Sequence, residues 1–345
     1  MRYSLNFANL FFAEHRLSSP RAMTEPILAE PFPCARFIKE IGRGPHGARA
    51  LSSEDTFALY GAMLDGRVSD LELGAVLLAY RLKGETADEL AAMLAAAQAS
   101  MMPVRARGAV SIPSYNGARK QPNLVPLLAL LLAREGVPTL VHGVTEDPGR
   151  VTSAEIFACL GIEAAASHDA IEAALAERRV AFAPVDVLAP KLARLLALRR
   201  VMGVRNSTHT LVKILQPFSP AGLRLVNYTH PAYRDSLAAL FLGHPEVARG
   251  GALLARGTEG EAVADTRRQV QIDWLHDGLA QTLVTPERSS PDEAEPELPA
   301  ARDAETTARW IESVLRGDAA VPPTLARQVK IIVDIARANE GTANP

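Results

Sequence analysis

The chain reads as an α/β protein. A small, all-helical N-terminal domain precedes a larger α/β domain whose central, mainly parallel sheet is flanked by helices. Three observations predict this. The first hundred residues carry helix-start signals and helical periodicity. From Ala109 onward, short apolar runs alternate with helical segments, as parallel strands require, because each crossover needs a helix-length connection. The 345 residues, 48% of them hydrophobic and 22% charged, suffice for one large or two smaller domains with a full core.

Residues 1–35 form an N-terminal extension, and residues 1–22 read equally as an over-long start with Met23 as the initiator. Its Leu10-Phe11-Phe12-Ala13 run is too short for a signal-peptide core. The helical domain spans 36–103. Its first predicted helix, Ser53–Leu64, is closed by Asp65-Gly66. Ser69-Asp70-Leu71-Glu72 and Thr86-Ala87-Asp88-Glu89 both have the spacing of a capping box, in which a hydroxyl and a carboxylate satisfy free amides reciprocally. Gly84 stops the helix between them. On the helix opened at Ser69, Leu71, Ala75, Leu78, Ala79 and Leu82 share one face, and Leu73, Val76, Leu77 and Tyr80 another. A helix apolar nearly all round is buried on two sides. This predicts the core on one side and a partner subunit on the other.

The α/β domain spans 104–345. Ala109–Pro113, Pro138–His142, Val180–Ala183 and Ala252–Ala255 read as buried strands. Leu124–Glu135, Thr152–Leu160 and Asp169–Arg178 read as helices, the second opened by the capping box Thr152-Ser153-Ala154-Glu155. Residues 285–306, rich in Pro, Ser and acids, read as a flexible loop. Ala304–Leu315 and Thr324–Ala338 return to an amphipathic helical pattern.

No apolar run approaches the roughly 20 residues a membrane helix needs, so the expectation is a cytoplasmic protein with no membrane partner. Cys34 and Cys159 are too few for a disulfide framework and lack metal-ligand spacing; Cys159, on an apolar helical face, reads as a small core residue. The net charge of −2 conceals a segregated distribution. Arg178, Arg179, Lys191, Arg194, Arg199, Arg200, Arg205 and Lys213 lie in one stretch with a single acid, Asp186. Acids dominate 285–306. Arg178-Arg179 reads as decoration of a helix C-terminus, where positive charge meets the helix dipole. Nucleophile elbow, Walker loop, zinc spacing and dinucleotide fingerprint are all missing from the sequence. Asp147, Glu259 and Glu261 are scattered single candidates for acid–base work.

The loop Ser114–Asn123 follows the first strand, at the end of an α/β sheet where helix N-termini and free amides receive phosphate. A phosphate-processing loop wants several glycines, so that the backbone can approach the anion. This one has only Gly117, followed by the adjacent cations Arg119 and Lys120. It reads as a loop that holds phosphate rather than working on it.

Leu64-Asp65-Gly66-Arg67-Val68-Ser69-Asp70 and Ala79–Thr86 are similar to the N-terminal helical domain of anthranilate phosphoribosyltransferases and pyrimidine-type nucleoside phosphorylases. His142-Gly143, Val151–Ala154 and Arg199-Arg200-Val201-Met202-Gly203-Val204-Arg205 follow in the family's order, so the resemblance covers roughly residues 36–340. It implies the fold; function must be argued from the site. Three family motifs are altered. The Gly-Thr-Gly-Gly-Asp loop is replaced by the stretch around Ser114–Ala118. The Lys-His-Gly-Asn motif becomes Val141-His142-Gly143-Val144. Ala262 and Val263 stand at the metal-binding Asp-Glu pair. Ser114-Tyr115-Asn116-Gly117-Ala118-Arg119, Pro122-Asn123 and Arg205–Thr210 resemble the bacterial YbiB group, which implies a homodimer that binds DNA without marked sequence preference.

The expected nucleic-acid or phosphate-binding residues are therefore Arg119, Lys120, Asn116, Gly117, Asn123, His142, Arg199, Arg200, Arg205, Asn206, Lys213 and Arg256. Guanidinium groups suit phosphate because each donates two hydrogen bonds. Ser207 and Thr208 add neutral donors, and Tyr115 is a candidate for stacking on a base. No catalytic residue, metal ligand or cofactor is expected. Single strands and RNA stay open as partners beside DNA. The alternative is a phosphoribosyl (pentosyl) transferase of altered substrate, related to the tryptophan-biosynthesis enzyme. It would use magnesium with phosphoribosyl diphosphate, or Arg119 and Lys120 in place of the metal.

Overall fold

The computed structural model describes residues 30–44, 46–287 and 297–342. The N-terminal extension up to residue 29 and residues 288–296 of the acidic loop lie outside the described residues.

The helical domain comprises α1 (Ala35–Ile41), α2 (Ser53–Leu64), α3 (Asp70–Lys83) and α4 (Ala87–Ala99). Ser52 caps α2 by accepting the Asp55 amide at 3.1 Å. Thr86 and Glu89 form the expected capping box. Ser69 does not. Its hydroxyl donates to Glu72 Oε2 at 2.6 Å while the Cys34 amide takes Oε1 at 3.3 Å, so a tertiary donor redirects the carboxylate that a box would use. Glu89 does more than cap. Fully buried, it accepts hydrogen bonds from the amides of Leu51 (3.0 Å) and Thr86 (2.9 Å) and from Lys83 Nζ (2.6 Å). A buried carboxylate is tolerable only when paired and bonded in this way. On α3, Val76, Leu77 and Tyr80 enter the core, whereas Leu71 and Leu82 remain 87% and 78% exposed.

The α/β domain follows as β1 (Val110–Ser114), α5 (Val125–Arg134), β2 (Thr139–Gly143), α6 (Ser153–Cys159), α7 (His168–Arg178) and β3 (Val180–Pro184). Four short helices come next: α8 (Val185–Leu188), α9 (Pro190–Ala197), α10 (Arg199–Met202) and α11 (Thr208–Leu211). The chain then returns through β4 (Leu223–Tyr228), α12 (Pro231–Gly243), α13 (Pro245–Ala248) and β5 (Ala252–Arg256). It finishes with the hairpin β6 (Ile272–His276) and β7 (Leu279–Val284), then α14 (Ala304–Arg316) and α15 (Pro323–Thr342). The strands form one seven-stranded sheet in the order β3-β2-β1-β4-β5-β6-β7. The first five are mutually parallel, and β6 and β7 add on antiparallel. Every residue of β1, β2 and β3 is buried, as in a sheet covered on both faces.

Four strands lie within a residue or two of their expected places. β4 went unread because Arg224 and Asn227 interrupt its apolar run. The β6–β7 hairpin went unread too, although Asp277-Gly278 is a strong turn signal; both residues take positive φ (48° and 73°), as a type I′ turn demands. Cys159 corrects the expectation of a core residue. It is exposed, because α6 ends there after sending Ile156 and Phe157 inward. The acidic loop stops earlier than 306: Asp303 caps α14 by accepting the Thr306 amide at 2.8 Å. Among the described residues no helix is long and apolar enough to cross a membrane.

Glu89→Ala would strand Lys83 and the Leu51 amide in the interior. We expect a loss of about 3–5 kcal/mol in denaturant-unfolding free energy, the usual cost of removing one member of a buried pair.

Candidate functional site

Strand order reverses between β1 and β4, so the connections after these strands diverge and leave a crevice at the carboxyl ends. A cleft of about 580 Å³ opens at that edge. Tyr115 and Asn116 line it after β1, residues 143–148 after β2, and Val185 and Asp186 after β3; the far wall comes from α9, α10, Arg205, His209, Val212 and Lys213.

The wall is cationic. Arg199 and Arg200 are exposed, and among the described residues neither forms an ion pair. Arg205 is half-buried and donates to Asn116 Oδ1 at 2.9 Å. Lys213 donates to the Gly260 carbonyl at 3.0 Å. Burial, then repulsion from Arg199 and Arg150, lowers the pKa of the Arg205 guanidinium. Burial and repulsion from Arg205 and Arg150 push Lys213 down to about 8, despite the attraction of Glu261. His209 falls to about 4, again from burial and then from Arg205. Glu146, Asp147 and Asp186 also face the cleft, with Asp147 Oδ2 3.8 Å from Arg150 Nε.

The loop after β1 is not an empty phosphate cradle. Glu261 Oε1 accepts the amides of Asn116 (2.8 Å) and Gly117 (2.9 Å). Glu259 accepts those of Lys120 (2.7 Å), Gln121 (2.8 Å) and Arg119 (3.3 Å). Gly117 takes φ +60°, and a Cβ there would lie 2.8 Å from the Val151 carbonyl oxygen, so this glycine serves close packing of the loop. Burial raises the Glu261 carboxyl pKa, against the opposing pull of the Ser114 hydroxyl, Lys213 and the two amides.

Of the expected residues, Asn116, Arg199, Arg200, Arg205 and Lys213 meet in the cleft, with Gly117 just behind Asn116. Arg119 and Lys120 project into solvent outside its lining. Asn123 is buried and donates to Ser153 Oγ (3.2 Å) and the Val151 carbonyl (3.3 Å). Asn206 is buried as well, donating to the Leu195 carbonyl at 3.1 Å and accepting the Thr208 amide at 3.0 Å. Ser207 is engaged by Glu85, and Thr208 by Tyr60. Arg256, at the end of β5, lines a separate small apolar pocket. His142 is buried and shares a 2.9 Å hydrogen bond with the Tyr115 hydroxyl, which fixes that ring and removes it as a free stacking surface.

Part of the basic cluster is structural. Arg194 donates to the carbonyls of Met63 and Leu64 (2.7 and 2.9 Å), closing the C-terminus of α2, and Lys191 pairs with Asp65 at 2.7 Å. Arg178 ends α7, and Arg179 takes its left-handed C-cap. Sequence reasoning passed over Arg150 and assigned no role to Glu259 and Glu261 at the loop. The Thr258-Glu259-Gly260-Glu261 turn was visible, but nothing in it announces a target about 140 residues earlier.

Residues 35–101 match the helical bundle domain of the glycosyl transferase family. The chain is 42% identical over 301 residues to the uncharacterized protein YbiB of Escherichia coli (strain K12), covering 85% of this chain and 91% of that relative. It is 29% identical over 283 residues to anthranilate phosphoribosyltransferase 2 of Ralstonia nicotianae, covering 80% of each. The chain belongs to the anthranilate phosphoribosyltransferase-like family. Among solved structures, the enzyme from Thermus thermophilus superposes with a TM-score of 0.66 at 23% identity, over 88% of this chain and 89% of that one. The Saccharomyces cerevisiae enzyme in complex with PRPP and Mg gives 0.64 at 14% identity, over 89% and 93%. These likenesses establish the shared fold.

A magnesium–diphosphate complex needs hard oxygen ligands that are free to coordinate. Here Ala262 and Val263 are core residues, backbone amides engage Glu259 and the Oε1 of Glu261, and Glu261 Oε2, though it has no hydrogen-bond partner among the described residues, is buried out of reach of solvent. Among the described residues no group of three His, Cys, Asp or Glu side chains could hold a metal ion. The donor set does not fit the complex.

Burial holds His142 neutral, its pKa lowered from 6.5 to about 3. The stability this contributes is full above 6.5 and is lost as pH falls through about 3, at a slope of up to about 1.4 kcal/mol per pH unit. The His142 ring resonances should therefore show no titration between pH 5 and 8, measured by NMR.

Proposed function

We propose that this protein is a non-catalytic, sequence-nonspecific nucleic-acid-binding homodimer, with DNA as its partner and the cleft cations as its phosphate contacts. One observation carries the reading. Arg199, Arg200, Arg205 and Lys213 converge in one cleft although Arg199 repels Arg205 and Arg205 repels Lys213, and two of the four are exposed without an ion pair among the described residues. Clustering like charges costs free energy that a polyanion returns on binding, through attraction and through release of its condensed counterions. The contacts available are to phosphate, which positions a ligand but does not read sequence. The buried, bonded Tyr115 offers no base-stacking platform, which is consistent with backbone recognition.

Self-association is supported by the outer face of α3. Leu71, Leu78 and Leu82 stand at i, i+7 and i+11, 87%, 44% and 78% exposed, an apolar stripe of the kind a partner helix covers. A second copy would also supply a second cationic cleft and double the phosphate contacts.

Fluorescence anisotropy across a salt series tests the cleft. Arg199→Ala/Arg200→Ala should weaken DNA binding at least tenfold at low salt. It should also flatten the dependence of log affinity on log salt by about 2, close to one per lost phosphate contact. Affinity and slope unchanged from the native chain would refute the assignment. Leu71→Asp/Leu82→Asp should halve the mass seen by analytical ultracentrifugation.

A further inference from the structure

Five consecutive or near-consecutive backbone amides, from Asn116 to Gln121, point at two carboxylates of the same chain. Such an array is what α/β proteins ordinarily offer to a phosphate. The two carboxylates are not equivalent. Glu261 is 1% exposed and reaches the buried start of the loop, where its loss would leave Asn116 and Gly117 amides unpaired in the interior. Glu259 is partly exposed, serves the outer three amides, and stands 3.9 Å from Arg150 Nη1.

The backbone at Glu259 adds an independent observation. Its φ is +52°, a left-handed conformation that a non-glycine residue adopts only at a steric cost. Glycine would occupy the position freely, as Gly260 does beside it at φ +88°. The side chain retained there against that preference is the one whose carboxylate fills the amide array.

We propose that Glu259 is a built-in anion that shuts the outer amide cradle, which lies beside the cleft rather than in it, to free phosphate and diphosphate. With residues 119–121 engaged internally, a small phosphorylated ligand finds no backbone cradle. A ligand can bind only through the side-chain cations across the cleft, which favours many phosphates spaced along a chain over one compact diphosphate. The cradle's closure holds whether or not a polymer binds.

Glu259→Gly tests this: glycine suits the left-handed backbone, the amides it releases lie towards solvent, and Glu261 keeps the buried bonds to Asn116 and Gly117. The probe is inorganic pyrophosphate without added metal, titrated calorimetrically and by amide NMR. The native chain should bind it weakly or not at all. E259G should bind at least about tenfold more tightly, as expected for several recovered charge-assisted hydrogen bonds, with the Lys120 and Gln121 amide resonances shifting on titration. E146Q removes the same charge from the cleft wall without touching the amides and should gain little. Three results would overturn the proposal: E259G affinity within twofold of the native chain, an equal gain in E146Q, or a gain that leaves the Lys120 and Gln121 amides unmoved.

Discussion

The bonds from the Glu259 and Glu261 carboxylates to the amides of loop 116–121 hold the site together. They fasten the turn after β5 to the loop after β1, reaching across the point where strand order reverses. Further contacts are built on this junction. Asn116 Nδ2 donates to the Gly260 carbonyl at 3.0 Å, Lys213 reaches the same carbonyl, and Arg205 closes on Asn116 Oδ1. A buried amide without a partner costs roughly 1–3 kcal/mol, so the internal acceptor for the buried Asn116 and Gly117 amides makes the start of the loop rigid. Two of the cleft's four cations are held by that rigid loop and turn.

The electrostatics of the cleft follow from its depth. Burial lowers the pKa values of Arg205, His209 and Lys213, and neighbouring cations add to the shift, whereas Arg199 and Arg200 lie exposed on α10. The wall thus grades from solvated guanidinium groups at its exposed part to a desolvated lysine near the loop. An incoming polyanion would meet the exposed arginines first. Deeper penetration would raise the pKa of Lys213 by adding negative charge to that of Glu261.

Within the shared scaffold, the groups left free to meet an anion are side chains rather than backbone amides. In phosphate-binding α/β proteins the backbone does much of the work through glycine-rich loops and helix N-termini. In this chain the amides of the loop after β1 are satisfied internally, Ala262 and Val263 lie in the core, and the free positive charge resides on side chains. The same fold can therefore serve a different ligand class without a change of topology.

Several helix starts, four of the five parallel strands and the basic stretch were readable from residue types, because capping, periodicity and charge segregation act over a few neighbouring positions. Thr86 and Thr152 cap as their spacing implies, and Val110–Ser114 runs where its apolar pattern places it. What could not be read is which of the eight basic residues line the cleft. Arg194 and Lys191 hold helices together, while Arg199 and Arg205 line the cleft, although all four share one stretch of sequence. Likewise Glu259 and Glu261 read as stray acids until the fold brings them against amides some 140 residues away. Local chemistry sets where elements begin and how they alternate. The role of a charged side chain depends on partners distant in sequence, and folding alone chooses those partners.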